Sequence, residues 1–161
     1  MAPVWRDILF AGVGTSPGVL TDTIWALAHK KTPPIIPHSV LVVTTASARD
    51  ALTKALFNNG GWARLRAALS QERFDVEGRL RFGLASEFFT VLPKPDGSGD
   101  LEDIITAEDS EAAADTVMRA LRGLTEDPGT RVVASIAGGR KTLSALITSC
   151  MSLLGRSQDI L

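Results

Sequence analysis

The sequence predicts an α/β fold in which a mainly parallel central sheet is covered by helices on both faces. Continuous apolar runs such as ILFAGV at 8–13 and SVLVVTT at 39–45 are typical of strands buried on both faces. Each run is followed by apolar residues at helical spacing, at 19–28 and at 47–57. Strands that alternate with helices in this way favour a parallel sheet.

The middle of the chain is predicted to be more irregular. The prolines of KKTPPIIPH at 30–38 forbid a regular element, so we expect a loop there. NNGG at 58–61 is expected to interrupt the second helix, which resumes over 62–69. Two further strands are predicted, at 79–84 and at 87–92.

The last third of the chain returns to a clear strand–helix pattern. Thr106 and Asp109 have the spacing of a capping box and predict a helix that continues to Leu124. The remaining expected elements are a turn at 127–129, a buried strand at 131–137, a helix over 143–154 that ends at Gly155, and the beginning of another strand at 159–161. That last strand is therefore expected to be incomplete in this chain.

Composition restricts the classes of protein to which the chain can belong. Its 161 residues suit one domain, and its content of 45% apolar and 22% charged residues is typical of a globular protein. A net charge of −1 excludes the global basic field of bulk nucleic-acid binders, so an anionic ligand needs a local site. Cys150 is the single cysteine, and neither it nor His29 and His38 forms a metal-binding motif.

The sequence carries no pattern typical of export or membrane insertion. The start MAPVWRDILFAGVG contains an early acid, Asp7, and lacks a cleavable signal pattern. No apolar run approaches the ~18 residues that span a bilayer. We therefore expect a cytoplasmic protein with no membrane partner.

Two loops rich in small and polar residues follow predicted strands, GVGTSPG at 12–18 and AGGRKT at 137–142. Ligands of parallel sheets bind beyond the carboxyl ends of the strands, so both loops are expected at the binding edge. The glycines at 12, 14 and 18 miss the dinucleotide fingerprint by one residue. Thr44-Thr45 stand where an acid for the ribose is expected, which disfavours a nicotinamide cofactor.

The second loop is not a Walker A motif, because Arg140 and Ser135 occupy the places of its required glycines. A nucleoside-triphosphatase is therefore disfavoured, yet the junction still favours an anion. Gly138 and Gly139 allow backbone N–H groups to approach a ligand, and a helix N-terminus adds donors and partial positive charge. The positive charges of Arg140 and Lys141 are unfavourable beside the positive end of the helix dipole, unless a bound anion compensates for them.

Each of these residues also has a purely structural interpretation. The glycine pair fits a tight strand-to-helix turn followed by solvated cations, and a serine before proline is typical of a helix cap. These interpretations apply to Gly138-Gly139, to Arg140 and Lys141, and to Ser16-Pro17. Thr44 and Thr45 can be strand-end hydroxyls that satisfy the local backbone. Trp25, Trp62 and Met151 can be packing residues, with base stacking on either tryptophan as the alternative.

Several segments together resemble the CRISPR-associated Rossmann-fold (CARF) proteins, specifically their ring nuclease family. These segments are ILFAGVGTSPGVLTDTIWAL, VVTT, GGWARL, LEDIITAEDSEAAADTV, SIAGGRKT and LLGRSQDIL. They cover nearly the whole chain, and the last three are specific in combination. The resemblance implies one Rossmann-like CARF domain over 1–161, in a family whose members usually continue beyond the strand that begins at 159.

The resemblance also implies an activity. CARF homodimers bind cyclic oligoadenylate, the second messenger of type III CRISPR systems, across the two-fold axis. Ring nucleases cleave this messenger, here expected to be cyclic tetra-adenylate or cyclic hexa-adenylate, and so switch off the antiviral response. They need no metal and no cofactor, because a ribose 2′-OH attacks the adjacent phosphate and leaves linear products with a 2′,3′-cyclic phosphate.

Matched residue by residue, the resemblance implies catalytic roles for Ser16 and Lys141. Ser16 would orient the 2′-OH or bind a phosphate oxygen, and Lys141 would stabilise charge that develops on the phosphate. Neither histidine falls in the two loops, so no general base is expected. The implied ligand-binding residues are Gly14, Thr15, Ser16, Thr44, Thr45, Gly138, Gly139, Arg140, Lys141 and Thr142.

Two rival functions follow from the same pattern. The first is a non-cleaving CARF sensor domain of an effector that cyclic oligoadenylate activates, with the effector domain absent from this chain. Such effectors are often HEPN ribonucleases, yet neither His29 nor His38 has an arginine four to six residues before it. The second is a DNA-binding regulator, which needs a helix-turn-helix for which the chain leaves no room, so no DNA partner is expected.

Overall fold

The central sheet has four parallel strands in the order β3-β2-β1-β4. In the computed structural model, which describes residues 4–161, the strands span Arg6–Gly12 (β1), Ser39–Thr44 (β2), Phe89–Val91 (β3) and Thr130–Ser135 (β4). Leu9 of β1 lies opposite Val40 of β2 on one side and Val133 of β4 on the other. The predicted parallel sheet is therefore confirmed.

The strand order changes direction between β1 and β4. The chain moves outwards from β1 to β2 and β3, and then returns to the other side of β1 to form β4. Such a switch point opens a crevice beyond the carboxyl ends of the two strands. The loops at 12–18 and 137–142 follow these two strands, so the fold places both at the crevice.

Five α-helices of the described chain cover the sheet, and all five were expected from the sequence. They span Gly18–Lys30 (α1), Ala46–Thr53 (α2), Gly61–Gln71 (α3), Ala107–Thr125 (α4) and Lys141–Leu154 (α5). A π-helical turn at Lys54–Asn58 continues α2, and Gly60 then adopts a φ of 72°, which glycine accommodates without strain. Within residues 4–161, no helix combines the length and the apolar character needed to cross a membrane.

Both faces of the sheet are buried, which explains why β1 is a continuous apolar run. Leu9 and Ala11 belong to the apolar cluster formed with α1, α2 and α3, whereas Phe10 belongs to the cluster formed with α4 and α5. All three residues are at most 3% exposed. Successive side chains of a strand lie on opposite faces, so a strand covered on both sides needs apolar residues throughout.

The strand predicted at 79–84 is wrong, and the one predicted at 87–92 is shorter than expected. Leu80 has a positive φ of 55°, which interrupts an extended strand, and Arg81 makes an isolated parallel bridge to β2. The guanidinium of Arg66 donates hydrogen bonds of 2.8–3.3 Å to three carbonyls between residues 76 and 80. These carbonyls are therefore satisfied by a side chain rather than by a neighbouring strand.

Local signals in the last third of the chain are confirmed. Thr106 accepts a hydrogen bond from the N–H of Asp109 at 3.1 Å, and Asp109 accepts one from the N–H of Thr106 at 2.9 Å. This is a complete capping box at the start of α4. Gly155 ends α5 as expected. A Cβ at this position would lie 2.5 Å from the carbonyl oxygen of Met151, which explains why the residue is a glycine. Ile160 makes a parallel bridge to β4, as the beginning of a strand would.

The bulky residues expected to serve packing are buried to different extents. Trp62 and Met151 are each 7% exposed and belong to the core, as predicted. Trp25 is 38% exposed and stacks on His29, with ring centroids 4.2 Å apart. Trp25 is therefore a surface residue in contact with another ring rather than a core residue.

Candidate functional site

The loops after β1 and β4 are packed directly against each other at the switch point. A Cβ built on Gly14 would lie 3.1 Å from the Cα of Gly139, so the two backbones are in contact. Gly139 adopts a φ of 87°, a left-handed conformation that other residues rarely take. These glycines are thus needed for the contact between the loops, which supports the structural interpretation of the pair Gly138-Gly139.

A cleft of about 490 Å³ lies beside the joined loops, a volume typical of small-molecule sites. The start of α2 and the segment just before α4 form its other walls. Of the residues predicted to bind ligand, those that line the cleft are Gly14, Thr15, Ser16, Thr45, Gly138, Gly139 and Arg140. The fold therefore brings two loops more than 100 residues apart in sequence to one cavity.

Three other predicted ligand residues are placed differently. Thr44 is fully buried, and its hydroxyl donates a hydrogen bond of 2.7 Å to the carbonyl oxygen of Val13. This bond holds the end of β2 against the loop after β1, as the strand-end interpretation of Thr44 describes. Lys141 and Thr142 are exposed in the first turn of α5 and lie outside the lining of the cleft. Their contacts with a ligand stay predictions.

The N-terminus of α5 is open to an anion. Arg140 occupies the N-cap and has no acceptor atom, so its side chain makes no capping hydrogen bond to the first turn. The first N–H groups of a helix have no partner within the helix, and the dipole adds partial positive charge there. At the same junction, the Ser144 hydroxyl donates to the carbonyls of Ile136 and Gly138 at 3.2 and 3.3 Å.

The side chain of Ser16 is not the cap of α1. The helix begins at Gly18, and Pro17 occupies the N-cap position with no side-chain capping bond. Ser16 is exposed, and its backbone carbonyl accepts a hydrogen bond from the N–H of Val19 at 3.3 Å. The helix-cap interpretation of its hydroxyl is therefore wrong, and the hydroxyl lies at the cleft.

Sequence reasoning missed the wall formed by Glu102, Asp103 and Ile104. The hydroxyl of Ser47 donates to the carbonyl of Glu102 at 2.8 Å, which joins this segment to the start of α2. Asp103 forms an ion pair with Arg140 across the cleft. The segment LEDIITAEDS is part of one of the stretches with a family resemblance, but no local pattern predicts that it lies against the loop after β4.

Both histidines lie away from the cleft. His29 is near the end of α1, where a hydrogen bond of 2.6 Å to Glu72 raises the pKa of the imidazole. His38 precedes β2 at the opposite edge of the sheet, and burial lowers its pKa. Among residues 4–161, no group of three or more His, Cys, Asp or Glu side chains is placed to hold a metal ion.

A family model matches residues 16–161 of the chain. The family is described as CRISPR-associated protein NE0113 (Cas_NE0113). The matched range begins at Ser16 and includes the loop after β4, α5 and the acidic wall of the cleft. No curated protein matches the chain significantly.

Proposed function

The chain belongs to the Cas_NE0113 family of CRISPR-associated proteins, and from this premise we propose that it is a ring nuclease of cyclic oligoadenylate. The proposed ligand is cyclic tetra-adenylate, with cyclic hexa-adenylate as the other candidate ring. One observation carries the proposal: the loops after β1 and β4 meet at the switch point, beside the open N-terminus of α5. In a CRISPR-associated protein, a cleft beside a helix N-terminus that can receive a phosphate supports a nucleotide signal of type III CRISPR immunity as the ligand.

The proposed reaction is a transfer within the ring. A ribose 2′-oxygen attacks the adjacent phosphorus, the bond from phosphorus to the 5′-oxygen breaks, and the proton lost by the 2′-OH is balanced by one gained on the 5′-oxygen. The products carry a 2′,3′-cyclic phosphate and a 5′-OH, and no water is consumed. This reaction depends mainly on holding the attacking oxygen in line with the leaving oxygen, which orientation in a cleft can supply.

The two proposed catalytic residues have separate roles. Ser16, exposed at the rim of the cleft, orients the 2′-OH or binds a phosphate oxygen. Lys141, at the first position of α5, stabilises the negative charge that develops on the phosphate. The N–H groups at the start of the same helix act on the same charge.

We further propose that two copies of the chain hold one ring across a two-fold axis. A ring of four nucleotides exceeds a single cleft of about 490 Å³, and a symmetric dimer provides two clefts facing one ligand. The dimer also doubles Arg140 and Lys141 around the phosphates. This local concentration of cations allows a chain of net charge −1 to bind a polyanion.

The proposal is tested by incubating the purified protein with cyclic tetra-adenylate or cyclic hexa-adenylate in EDTA. Chromatography of the products is expected to give linear di-adenylate with a 2′,3′-cyclic phosphate from the four-membered ring. The same reaction with added Mg²⁺ should proceed at the same rate. Unchanged ring after long incubation with excess folded protein contradicts the nuclease function.

The second candidate is a sensor that binds the ring without cutting it. Its support is that Lys141 is outside the lining of the cleft and that both histidines lie elsewhere. Calorimetry measures binding of the ring, and chromatography of the products measures its cleavage. A sensor binds the ring tightly and returns it intact. A chain that neither binds nor cleaves either ring contradicts both.

A further inference from the structure

The charged residues that line the cleft are unusual for a phosphate site. They are two carboxylates, Glu102 and Asp103, and one guanidinium, Arg140. The sum of these formal charges is therefore −1. Two carboxylates in the wall repel a phosphate, so attraction of phosphate alone does not explain this set of residues.

Asp103 is held firmly in this wall. One of its carboxylate oxygens forms the ion pair with Arg140, and the other accepts a hydrogen bond of 2.8 Å from the N–H of Ile104. The segment itself is anchored, because the N–H of Ala46 donates to the carbonyl of Leu101 at 2.8 Å. The Asp103 side chain is 29% exposed, whereas that of Arg140 is 64% exposed.

A phosphate that enters the cleft must therefore share Arg140 with Asp103. The electrostatic energy between the fixed carboxylates and a ligand is proportional to the charge of the ligand. A phosphodiester carries one negative charge per phosphate, whereas a phosphomonoester carries close to two above its second pKa of about 6. Because Arg140 is already paired with Asp103, the carboxylates of the lining repel the second ligand charge and oppose the attraction of Lys141 and the helix N-terminus.

We propose that Asp103 is a specificity-determining residue that selects phosphodiesters over phosphomonoester dianions at this site. The inference rests on the proposed function, since the ring is a ligand that contains only diesters. Terminal phosphates of free mononucleotides are doubly charged, so the paired carboxylate disfavours their binding more strongly than that of a diester. The helix N-terminus and the backbone N–H groups then bind the weaker charge of a diester phosphate.

The test compares Asp103→Asn with the wild type by calorimetry at pH 8 and low salt. The probes are adenosine 5′-monophosphate, a dianion, and adenylyl-(3′→5′)-adenosine, a diester monoanion. Removing one carboxylate is expected to tighten binding of the dianion about tenfold and of the diester about threefold, because the interaction scales with ligand charge. The control is Asp100→Asn, which removes the same charge from an exposed residue outside the cleft lining and should change both affinities less than twofold.

Three results would overturn the proposal: no gain in the variant, an equal gain for both probes, or weaker binding of both. Weaker binding would make Asp103 a positioning residue for Arg140. Glu102→Gln provides a second variant, because it removes a charge from the same wall and leaves the ion pair between Asp103 and Arg140 intact. Glu102→Gln is also expected to tighten binding of the dianion more than binding of the diester.

The ring nuclease function and the role of Asp103 are tested independently of each other. Wild-type protein that does not bind or cleave cyclic tetra-adenylate contradicts the ring nuclease and the sensor, whatever the two nucleotide probes show. A normal ring reaction together with unchanged probe affinities in both acid variants contradicts only the role of Asp103. Thermal melting of each variant establishes that the compared proteins are folded.

Discussion

A Cβ added to Gly138 would lie 2.4 Å from Cγ1 of Val19, in the first turn of α1. The same atom would lie 3.0 Å from the carbonyl oxygen of Gly12, at the end of β1. The loop after β4 is therefore seated against both ends of the loop after β1. Gly138 and Val19 both line the cleft, so this contact forms part of its wall.

Gly138→Ala is expected to destabilise the protein by about 2 kcal/mol, because the new methyl group overpacks a tight contact. Urea unfolding measures the change. The matched control is Gly123→Ala in α4, where a Cβ meets nothing within 4 Å and should stabilise the helix by up to about 1 kcal/mol. Adding Val19→Ala to Gly138→Ala should recover part of the loss, and equal stability of Gly138→Ala and wild type would contradict the packing assigned here.

Lys141→Ala is expected to change activity and stability in opposite directions. Loss of the ammonium should reduce ring cleavage by about 10²–10³-fold. Stability should rise by a few tenths of a kcal/mol or more, because a cation no longer opposes the dipole at the start of α5. Single-turnover cleavage and thermal melting measure the two effects, with Lys54→Ala, an exposed lysine outside the cleft lining, as control. A wild-type cleavage rate would remove Lys141 from the mechanism.

Ser16→Ala is expected to lower cleavage by about 10²-fold while leaving stability within about 0.5 kcal/mol of wild type. The separation is expected because Ser16 is exposed and Pro17, not Ser16, occupies the N-cap of α1. Ser16→Thr keeps the hydroxyl and should restore most of the rate. Full activity of the alanine variant would show that the hydroxyl has no part in the reaction.

The stability of the fold is expected to depend on pH through His38. Its Nδ1 accepts a hydrogen bond of 3.0 Å from the N–H of Asp7, so this nitrogen must be unprotonated. Burial, followed by the charge of Arg79, lowers the pKa of His38 below its ordinary value of about 6.5. The unfolded chain therefore binds a proton at a higher pH than the folded protein does. The stabilisation is complete above pH ~6.5 and is lost as pH falls through the folded pKa.

His38 should accordingly lower the melting temperature of the wild type as the pH falls from 7 to 5, whereas His29, whose pKa is raised, acts in the opposite direction. His38→Asn keeps an acceptor near the position of Nδ1 but does not titrate, so its melting temperature should fall less over the same range. Other titrating groups, including His29 with its raised pKa, are common to both proteins and cancel in the comparison. Equal slopes would mean that His38 does not link folding to pH.

Local sequence patterns predicted the regular parts of the fold well. The apolar run of β1 indicated a strand covered on both faces, and Leu9 and Phe10 do belong to opposite apolar clusters. Thr106 and Asp109 indicated the start of α4, because both capping bonds join residues three apart in sequence. The prediction failed at 79–84, where Arg66 satisfies the carbonyls that a neighbouring strand would otherwise bind.

The candidate site was predicted less completely. The two loops were expected at one edge of the sheet, and the parallel order of β1 and β4 places them there. The acid wall of Glu102 and Asp103 was not expected, and Thr44 follows its strand-end interpretation rather than its predicted role in ligand binding. Each depends on which segments lie side by side, and a local motif carries no information about that.

The sequence by itself determined β1, β2 and β4, the five α-helices and the composition of the two loops, because these depend on neighbours a few residues apart. The tertiary structure decided how those loops are used. It packs Gly138 on Val19, ties Thr44 to Val13 and pairs Asp103 with Arg140. Each contact joins residues at least 31 positions apart, so it exists only after parallel pairing has brought the carboxyl ends of β1, β2 and β4 together.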